Sequence, residues 1–189
     1  MAVRGGEIEP TRIMVAVNES KTNGYPHASE SCTAAFEWTL KTIVRNNASR
    51  LKILLIHVQI PDEDGGSDHV IVDNIYSSPE DFKHMKRRDL FGAIRLLGYF
   101  MKQCQDVGVA CEAYLKEGVP KKIICCEAND ARPDLLVVGS RGLSLSTFRK
   151  IFIGSVGEYC LKHADCPVIV IKHSPPETPQ STLDDSTTL

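Results

Sequence analysis

Short apolar runs rich in β-branched residues recur along the chain, and each is bounded by polar or turn-forming residues. They span residues 11–17, 51–58, 109–115, 134–138 and 168–171, and we predict a β-strand at each. The run 51–58 has almost no polar alternation, which indicates a strand covered on both faces. This pattern predicts a parallel sheet.

Between these runs the apolar residues follow a helical period. Cys32, Phe36, Leu40 and Ile43 recur at spacings of three and four, which predicts a helix over 29–44. Ser78 and Pro79 precede two acids in the order that a helix N-terminus favours, so a long helix is predicted over 78–105. Shorter helices are predicted over 120–129 and 154–163, and a polar loop over 18–26.

The alternation of strands and helices predicts an α/β protein built on a single doubly wound, Rossmann-like, five-stranded parallel sheet. In such a sheet the ligand is expected beyond the carboxyl ends of the strands. The domain is expected to span 11–173. A flexible N-terminal segment is predicted over 1–10, a mobile insertion over 61–77 and a disordered C-terminal tail over 174–189.

Charge and cysteine usage narrow the classes of partner. Lys and Arg number 22 against 24 acids, so the net charge of −2 supplies no field to attract nucleic acid or an anionic membrane. No segment resembles a signal peptide or a transmembrane helix, which predicts a cytoplasmic protein.

The seven irregularly spaced cysteines include no C-x-x-C pair, and this indicates reduced thiols rather than disulfides or a metal site. A redox role for them stays open.

The segment after the fourth predicted strand carries the residue types that phosphate binding requires. Gly139 and Gly142 would let the backbone approach an anion, and Arg141 between them could donate charge-assisted hydrogen bonds. Gly154 and Ser155 would leave free N–H groups at a helix N-terminus. The alternative is that these residues form only a turn and a helix cap. The P-loop and dinucleotide-binding motifs are both absent from the sequence.

These glycines, the strand followed by Asn18 and Ser20, and the closing Cys-Pro-Val-Ile-Val-Ile-Lys strand together resemble the universal stress protein family. The resemblance covers 11–172 and points to the nucleotide-binding branch also found in plants. It implies a fold like that of the adenine nucleotide α hydrolases and a bound AMP or ATP, with Mg²⁺ as a further candidate. By position it implies that Ala16, Val17 and Val58 lie against adenine and that Asn18 hydrogen-bonds the adenine or ribose. The implied phosphate and ribose contacts are Val138, Gly139, Arg141, Gly142, Gly154, Ser155 and Val156.

The chain departs from the family pattern in three places. The stretch 143–153 is longer than the usual spacing, and Gly157 stands where relatives often carry a hydroxyl. Asn18 replaces an aspartate found in many relatives, and an amide is a poorer ligand for Mg²⁺ than a carboxylate.

Three functions are compatible with these residues. The leading hypothesis is a nucleotide-binding regulatory or sensor protein of the stress response. The second is a slow ATP hydrolase or nucleotidyl transferase, for which the sequence offers no catalytic set, and we assign His57 no role. The third is a dimeric, chaperone-like protein whose nucleotide site no longer works. The apolar run 168–171 is expected at a sheet edge, where it would pair with a second copy to form a homodimer.

Overall fold

The computed structural model describes residues 9–45, 47–60, 87–140 and 154–172. Its seven strands are β1 (Thr11–Ala16), β2 (Glu19–Ser20), β3 (Gly24–Ala28), β4 (Leu51–Gln59), β5 (Ala110–Glu117), β6 (Leu135–Ser140) and β7 (Val168–Lys172). Its four α-helices are α1 (Glu30–Trp38), α2 (Arg87–Asp106), α3 (Pro120–Ala131) and α4 (Ser155–His163). A π-helical segment, Thr39–Val44, continues α1, and a single 3₁₀ turn, Ala48–Arg50, precedes β4.

Five strands form the main sheet in the order β5-β4-β1-β6-β7, and every neighbouring pair is parallel. The chain builds outward from β1 to β4 and β5, then returns to the other side of β1 for β6 and β7. The predicted α/β fold with a doubly wound, five-stranded parallel sheet is therefore confirmed. The strand order reverses between β1 and β6, where folds of this type bind their ligands.

Both faces of the sheet are buried. Successive side chains on a strand point to opposite faces, so neighbouring residues enter two different cores. Ile53 and Leu55 contribute to a core with α1 and α2, which also contains Phe36 and Phe100. Leu54 and Ile56 belong to a second core, under α3 and α4. Two cores on one sheet explain why the run that forms β4 shows almost no polar alternation.

The ends of several elements differ from the sequence-based expectation. Ser29 is the N-cap of α1 and not its first residue, since its side chain accepts a hydrogen bond from the Cys32 amide. The strand β6 continues through Gly139 to Ser140, because pairing with β7 extends that far.

The segment 18–26 was predicted to be a polar loop, and this was wrong in part. It holds β2 and the start of β3, which pair as a short antiparallel hairpin. The hairpin packs on α2, where a Cβ atom added at Gly92 would lie 2.5 Å from the Cβ of Tyr25. Glycine at that position allows the close approach.

Several predictions fall on residues outside those described. They are the flexibility of 1–10 apart from Glu9 and Pro10, of the insertion 61–77 and of the tail 174–189, and the start of the helix predicted from residue 78. In the described part of the chain, no helix combines the length and the apolar character that a membrane span requires.

Candidate functional site

An open cleft of about 620 Å³, counting the solvent at its mouth, lies beyond the carboxyl ends of β1, β4 and β6. The walls are formed by Ala16, Val17, Asn18, Glu19, Val58, Ile60, Pro120, Ile124, Val138, Gly139, Gly154, Ser155, Val156 and Gly157. The cleft thus occupies the position that the strand order predicts for a ligand.

One part of the cleft is an apolar slot. Val17, Val58 and Val138 follow or end three buried strands, and each is almost completely buried. Ile124 from α3 lies on the same side, and Ile60 is 66% exposed although it lines the cleft. These side chains offer no hydrogen bonds, so the slot suits a flat apolar group such as the face of a base.

The other part of the cleft is the first turn of α4. Gly154 is the N-cap and supplies no side-chain hydrogen bond, and the next three residues also line the cleft. The first N–H groups of a helix lack partners within the helix and carry partial positive charge. Glu158 in the same turn pairs with Lys162 at 2.8 Å, and this hydrogen bond lowers the pKa of the Glu158 carboxyl. Because of its free N–H groups the turn suits an anion, and Lys162 offsets the negative charge of Glu158.

Gly139 has a packing role that the sequence argument did not foresee. A Cβ atom at this position would lie 2.3 Å from the backbone oxygen of Ser31 and 3.0 Å from the Cys32 nitrogen. From the sequence, Gly139 was expected to let the backbone approach an anion. In the structure, glycine here admits the first turn of α1 against the end of β6.

Asn18 connects the end of β1 to α1. Its Oδ1 accepts a hydrogen bond from Ser29 Oγ at 2.9 Å, and its Nδ2 donates to the Glu19 carbonyl at 2.8 Å. Ser29 Oγ also accepts from the Cys32 amide and thereby caps α1. Asn18 is thus held in place by the carbonyl group of the next residue and by the N-cap residue of α1.

His57 is fully buried on the face of β4 opposite the apolar slot. Its Nδ1 lies 3.0 Å from the Val17 carbonyl and its Nε2 lies 2.7 Å from the Tyr25 hydroxyl. A carbonyl can only accept, so Nδ1 donates and the neutral ring accepts from Tyr25 at Nε2. Burial lowers the pKa of His57, against smaller opposing effects of the Val17 hydrogen bond and the Glu19 charge. These are the contacts of a packed residue that holds the end of β1.

Most of the residues predicted for the site line this one cleft. They are Ala16, Val17, Asn18, Val58, Val138, Gly139, Gly154, Ser155 and Val156, whereas Arg141 and Gly142 lie outside the described residues.

Sequence reasoning missed Glu19, Ile60, Pro120 and Ile124. A signal for Pro120 and Ile124 was present, because a helix that follows a parallel strand begins at the carboxyl edge of the sheet. The start of α3 after β5 could have been included on that ground.

The described residues offer a Mg²⁺ ion in the cleft a single carboxylate, that of Glu19. Among them, no group of three or more His, Cys, Asp or Glu side chains could hold a metal. The amide oxygen of Asn18 is already engaged by Ser29. We therefore derive no step through a metal.

The cysteines are all free thiols. Burial raises the pKa of Cys160 to about 12, and it is also the largest cause of the raised pKa values of Cys125, Cys126 and Cys166. The thiolate is the reactive form of cysteine. These thiols are therefore protonated and poorly reactive at neutral pH.

Comparison with known proteins identifies the family. The model of the universal stress protein family matches residues 10–172. The chain belongs to the universal stress protein family. It is 52% identical to a universal stress protein A-like protein of Arabidopsis thaliana, over 94% of this chain and 98% of that one.

Solved structures of the family share the fold. A universal stress protein family protein from Arabidopsis thaliana, crystallised with AMP bound, is 46% identical, has a TM-score of 0.67, and the match covers 91% of this chain and 97% of that one. A universal stress protein from Archaeoglobus fulgidus is 19% identical with a TM-score of 0.57, over 87% of this chain and 95% of that one. At that identity the second likeness shows the fold alone.

Proposed function

We propose that this universal stress protein binds an adenine nucleotide, AMP or ATP, and acts as a regulatory or sensor protein of the stress response. The observation that carries the proposal is the composition of the cleft, in which an apolar slot adjoins the first turn of a helix. These two parts are complementary to the two ends of a nucleotide. The AMP bound to the Arabidopsis relative supports the same ligand here.

In this proposal the base enters the slot between Ala16, Val17 and Val58, and the ribose lies near Val138. The phosphates bind at the first turn of α4 through Gly154, Ser155 and Val156. Gly139, Arg141 and Gly142 complete the phosphate site, as the family motif implies. Mg²⁺ would accompany ATP through phosphate oxygens.

The side chains of the cleft favour binding over turnover. Among the described residues that line it, Glu19 alone carries a titratable side chain. A hydrolase needs a base or a water-orienting group beside the phosphate, and Glu19 is the first residue of β2 and does not belong to the first turn of α4. We therefore place binding ahead of the slow ATP hydrolase.

Thermal unfolding with nucleotides tests this proposal. AMP or ATP at about 100 times its dissociation constant should raise the free energy of unfolding by ~2.7 kcal/mol, because only the native state presents the cleft. GTP should raise it much less if the slot recognises adenine. Equal shifts with GTP would remove adenine from the proposal. Steady phosphate release that scales with purified protein would favour the hydrolase, and no binding at millimolar nucleotide would favour the chaperone-like protein.

We further propose that the protein is a homodimer formed through β7. This strand is an edge of the sheet, and its first four residues are apolar and partly exposed. The opposite edge, β5, carries the partly exposed Glu112 and Glu117, and charged side chains protect edge strands from pairing. The contrast between the edges supports pairing at β7, where two copies would form an isologous contact.

Light scattering of wild-type protein at micromolar concentrations should give the dimer mass. Ile169→Lys, in the middle of β7, should give a monomer because a charge would be placed at the paired edge. Val107→Lys is the matched control, since Val107 is an exposed apolar residue next to β5. A wild-type monomer, or dissociation by both variants alike, would contradict the proposed interface.

We assign the protein to the cytoplasm, because its seven free cysteines suit a reducing compartment. Nucleic acid and membranes are not proposed as partners, since the net charge of −2 supplies no attraction to them.

A further inference from the structure

A chain of contacts joins the β2–β3 hairpin to one wall of the cleft. The Tyr25 hydroxyl lies 2.7 Å from Nε2 of His57, and Nδ1 of the same ring lies 3.0 Å from the Val17 carbonyl oxygen. Val17 lines the cleft, whereas Tyr25 and His57 do not. Tyr25 is thus connected to the cleft through one fully buried ring.

Both backbone groups of Val17 are engaged on the protein side of the cleft. Its N–H donates to the Ile56 carbonyl at 2.9 Å, and its carbonyl accepts from His57. Val17 follows the last residue of β1, and the bond from His57 gives its carbonyl a donor beyond the end of that strand. A buried carbonyl that loses its donor has to turn toward another donor or toward water. The ring therefore fixes the peptide group after Val17, and with it this wall of the cleft.

Tyr25 determines which nitrogen of His57 carries the proton. Its hydroxyl satisfies the lone pair of Nε2, which keeps the ring proton on Nδ1, where it serves Val17. The Glu19 carboxylate from β2 lies 3.9 Å from the same Nε2. Without the Tyr25 proton, Nε2 would take a proton and pair with Glu19. Either Val17 would then lose its donor or Glu19 would be drawn toward a charged ring, and both of these residues line the cleft.

Helix α2 holds Tyr25 in this position. The rings of Tyr25 and His57 meet edge-on, with their centroids 5.6 Å apart. A Cβ atom added at Gly92 in α2 would lie 2.5 Å from the Cβ atom and 2.7 Å from the Cγ atom of Tyr25. These atoms are at the base of the side chain, so Tyr25 cannot yield by rotating its ring alone. A change in the packing of the hairpin on α2 is therefore transmitted to His57.

We propose that Tyr25 is a positioning residue of the nucleotide site, which holds the Val17 wall of the cleft through His57 and makes nucleotide affinity depend on the packing of the β2–β3 hairpin against α2. The inference rests on the proposed nucleotide-binding function. In a purely structural role, Tyr25 would contribute to the stability of the protein and not to the affinity of the folded state.

The first test is calorimetric titration of Tyr25→Phe with AMP. The variant lacks only the hydroxyl, and its affinity should fall about three- to tenfold, the equivalent of one hydrogen bond. Tyr114→Phe is the matched control, since it also loses one hydroxyl hydrogen bond, to Glu112 at 3.0 Å, and Tyr114 does not line the cleft. Both variants should melt at a lower temperature, but Tyr114→Phe should bind AMP like the wild type. Wild-type affinity in Tyr25→Phe, or equal losses in the two variants, would refute the proposal.

NMR of the histidine side chains reads the contact between Tyr25 and His57 without nucleotide. At pH 7 the wild type should show a neutral His57 ring protonated at Nδ1, and His57→Gln identifies its signals among the six histidines. The Tyr25 hydroxyl bonds to the neutral ring, so Tyr25→Phe should raise the pKa of His57, whereas Tyr114→Phe should not. An unchanged His57 titration in Tyr25→Phe would overturn the role given to the Tyr25 proton.

Gly92→Ala tests the link to α2 from outside the hydrogen-bonded chain. It should weaken AMP binding by a similar factor because it displaces Tyr25, although Gly92 does not line the cleft. Gly98→Ala, on the same helix, should leave the affinity unchanged, since an added Cβ atom there meets nothing within 4 Å. Titration below the melting temperature of each variant compares folded proteins. A folded Gly92→Ala variant with wild-type affinity would show that the packing on α2 does not reach the cleft.

Failure of the nucleotide-binding function gives a different result. If the wild type itself does not bind AMP, that function is wrong and the positioning role of Tyr25 toward a nucleotide is refuted with it. The NMR titration would still decide whether Tyr25 sets the protonation of His57.

Discussion

Replacing Gly139 with alanine should destabilise the protein through one defined collision. The added Cβ atom would lie 2.3 Å from the Ser31 oxygen, which is about 1 Å short of an ordinary contact of 3.4 Å. The atom in the way belongs to the backbone, so it cannot rotate aside. Either the first turn of α1 or the end of β6 must move.

The expected loss follows from two opposing effects. Overpacking of this kind costs about 1–3 kcal/mol, and the rigid neighbour places Gly139→Ala at the upper end of that range. Alanine also restricts the unfolded chain, which returns about 0.4–1 kcal/mol. We expect a net loss of about 2 kcal/mol, or a melting temperature lower by roughly 4–8 °C.

Gly98→Ala is the control for Gly139→Ala. Gly98 lies inside α2, and an added Cβ atom there meets nothing within 4 Å. Alanine at a helix interior should therefore raise the free energy of unfolding by roughly 0.5–1 kcal/mol. Urea unfolding of both variants measures the contrast. If Gly139→Ala is as stable as the wild type, or if both variants shift in the same direction, the packing explanation of Gly139 is wrong.

Two further predictions concern the phosphate end and the buried histidine. Gly154→Val should abolish AMP binding with little change in melting temperature, because the N-cap dihedral angles of φ −54° and ψ 156° are open to valine while its side chain would cover the helix N-terminus. Ser155→Ala should lose only about 1 kcal/mol of binding free energy. If calorimetry shows that Gly154→Val binds AMP as tightly as the wild type, this turn is not the phosphate site. The free energy of unfolding should fall as the pH drops below about 6.5. Burial lowers the pKa of His57 in the folded protein, so the neutral ring stabilises the fold fully above the unfolded pKa, and this stabilisation is lost when the ring is protonated. His57→Gln should have a flatter pH profile between pH 7 and 5, and identical profiles would show that His57 does not carry this dependence.

The main elements could be predicted because their signals are local. The apolar runs that form β1, β4, β5, β6 and β7 mark their strands, since a parallel strand buried on both faces needs apolar side chains at successive positions. The edges of the elements were less predictable. β6 extends to Ser140 because β7 pairs with it there, and that pairing is not visible in the residues of β6.

The candidate site shows the same division. Gly154 and Ser155 could be selected from sequence, because a glycine and a hydroxyl before an amphipathic segment indicate a helix N-terminus whatever surrounds them. Tyr25 was assigned to a polar loop, and its hydrogen bond with His57 joins residues 32 positions apart. The periodicity of apolar residues along the chain does not indicate a contact between two separate elements.

The sequence by itself determined the order of the five strands of the main sheet and of the helices between them, the two buried faces of the sheet and the chemistry available at the carboxyl ends of the strands. Those features follow from the spacing of side chains on regular elements. The tertiary structure alone decided that Gly139 faces Ser31, that α3 contributes to the cleft and that the Asn18 side chain is held between Glu19 and Ser29. Each of these depends on where two separate elements meet, and packing of the whole chain sets that distance and orientation.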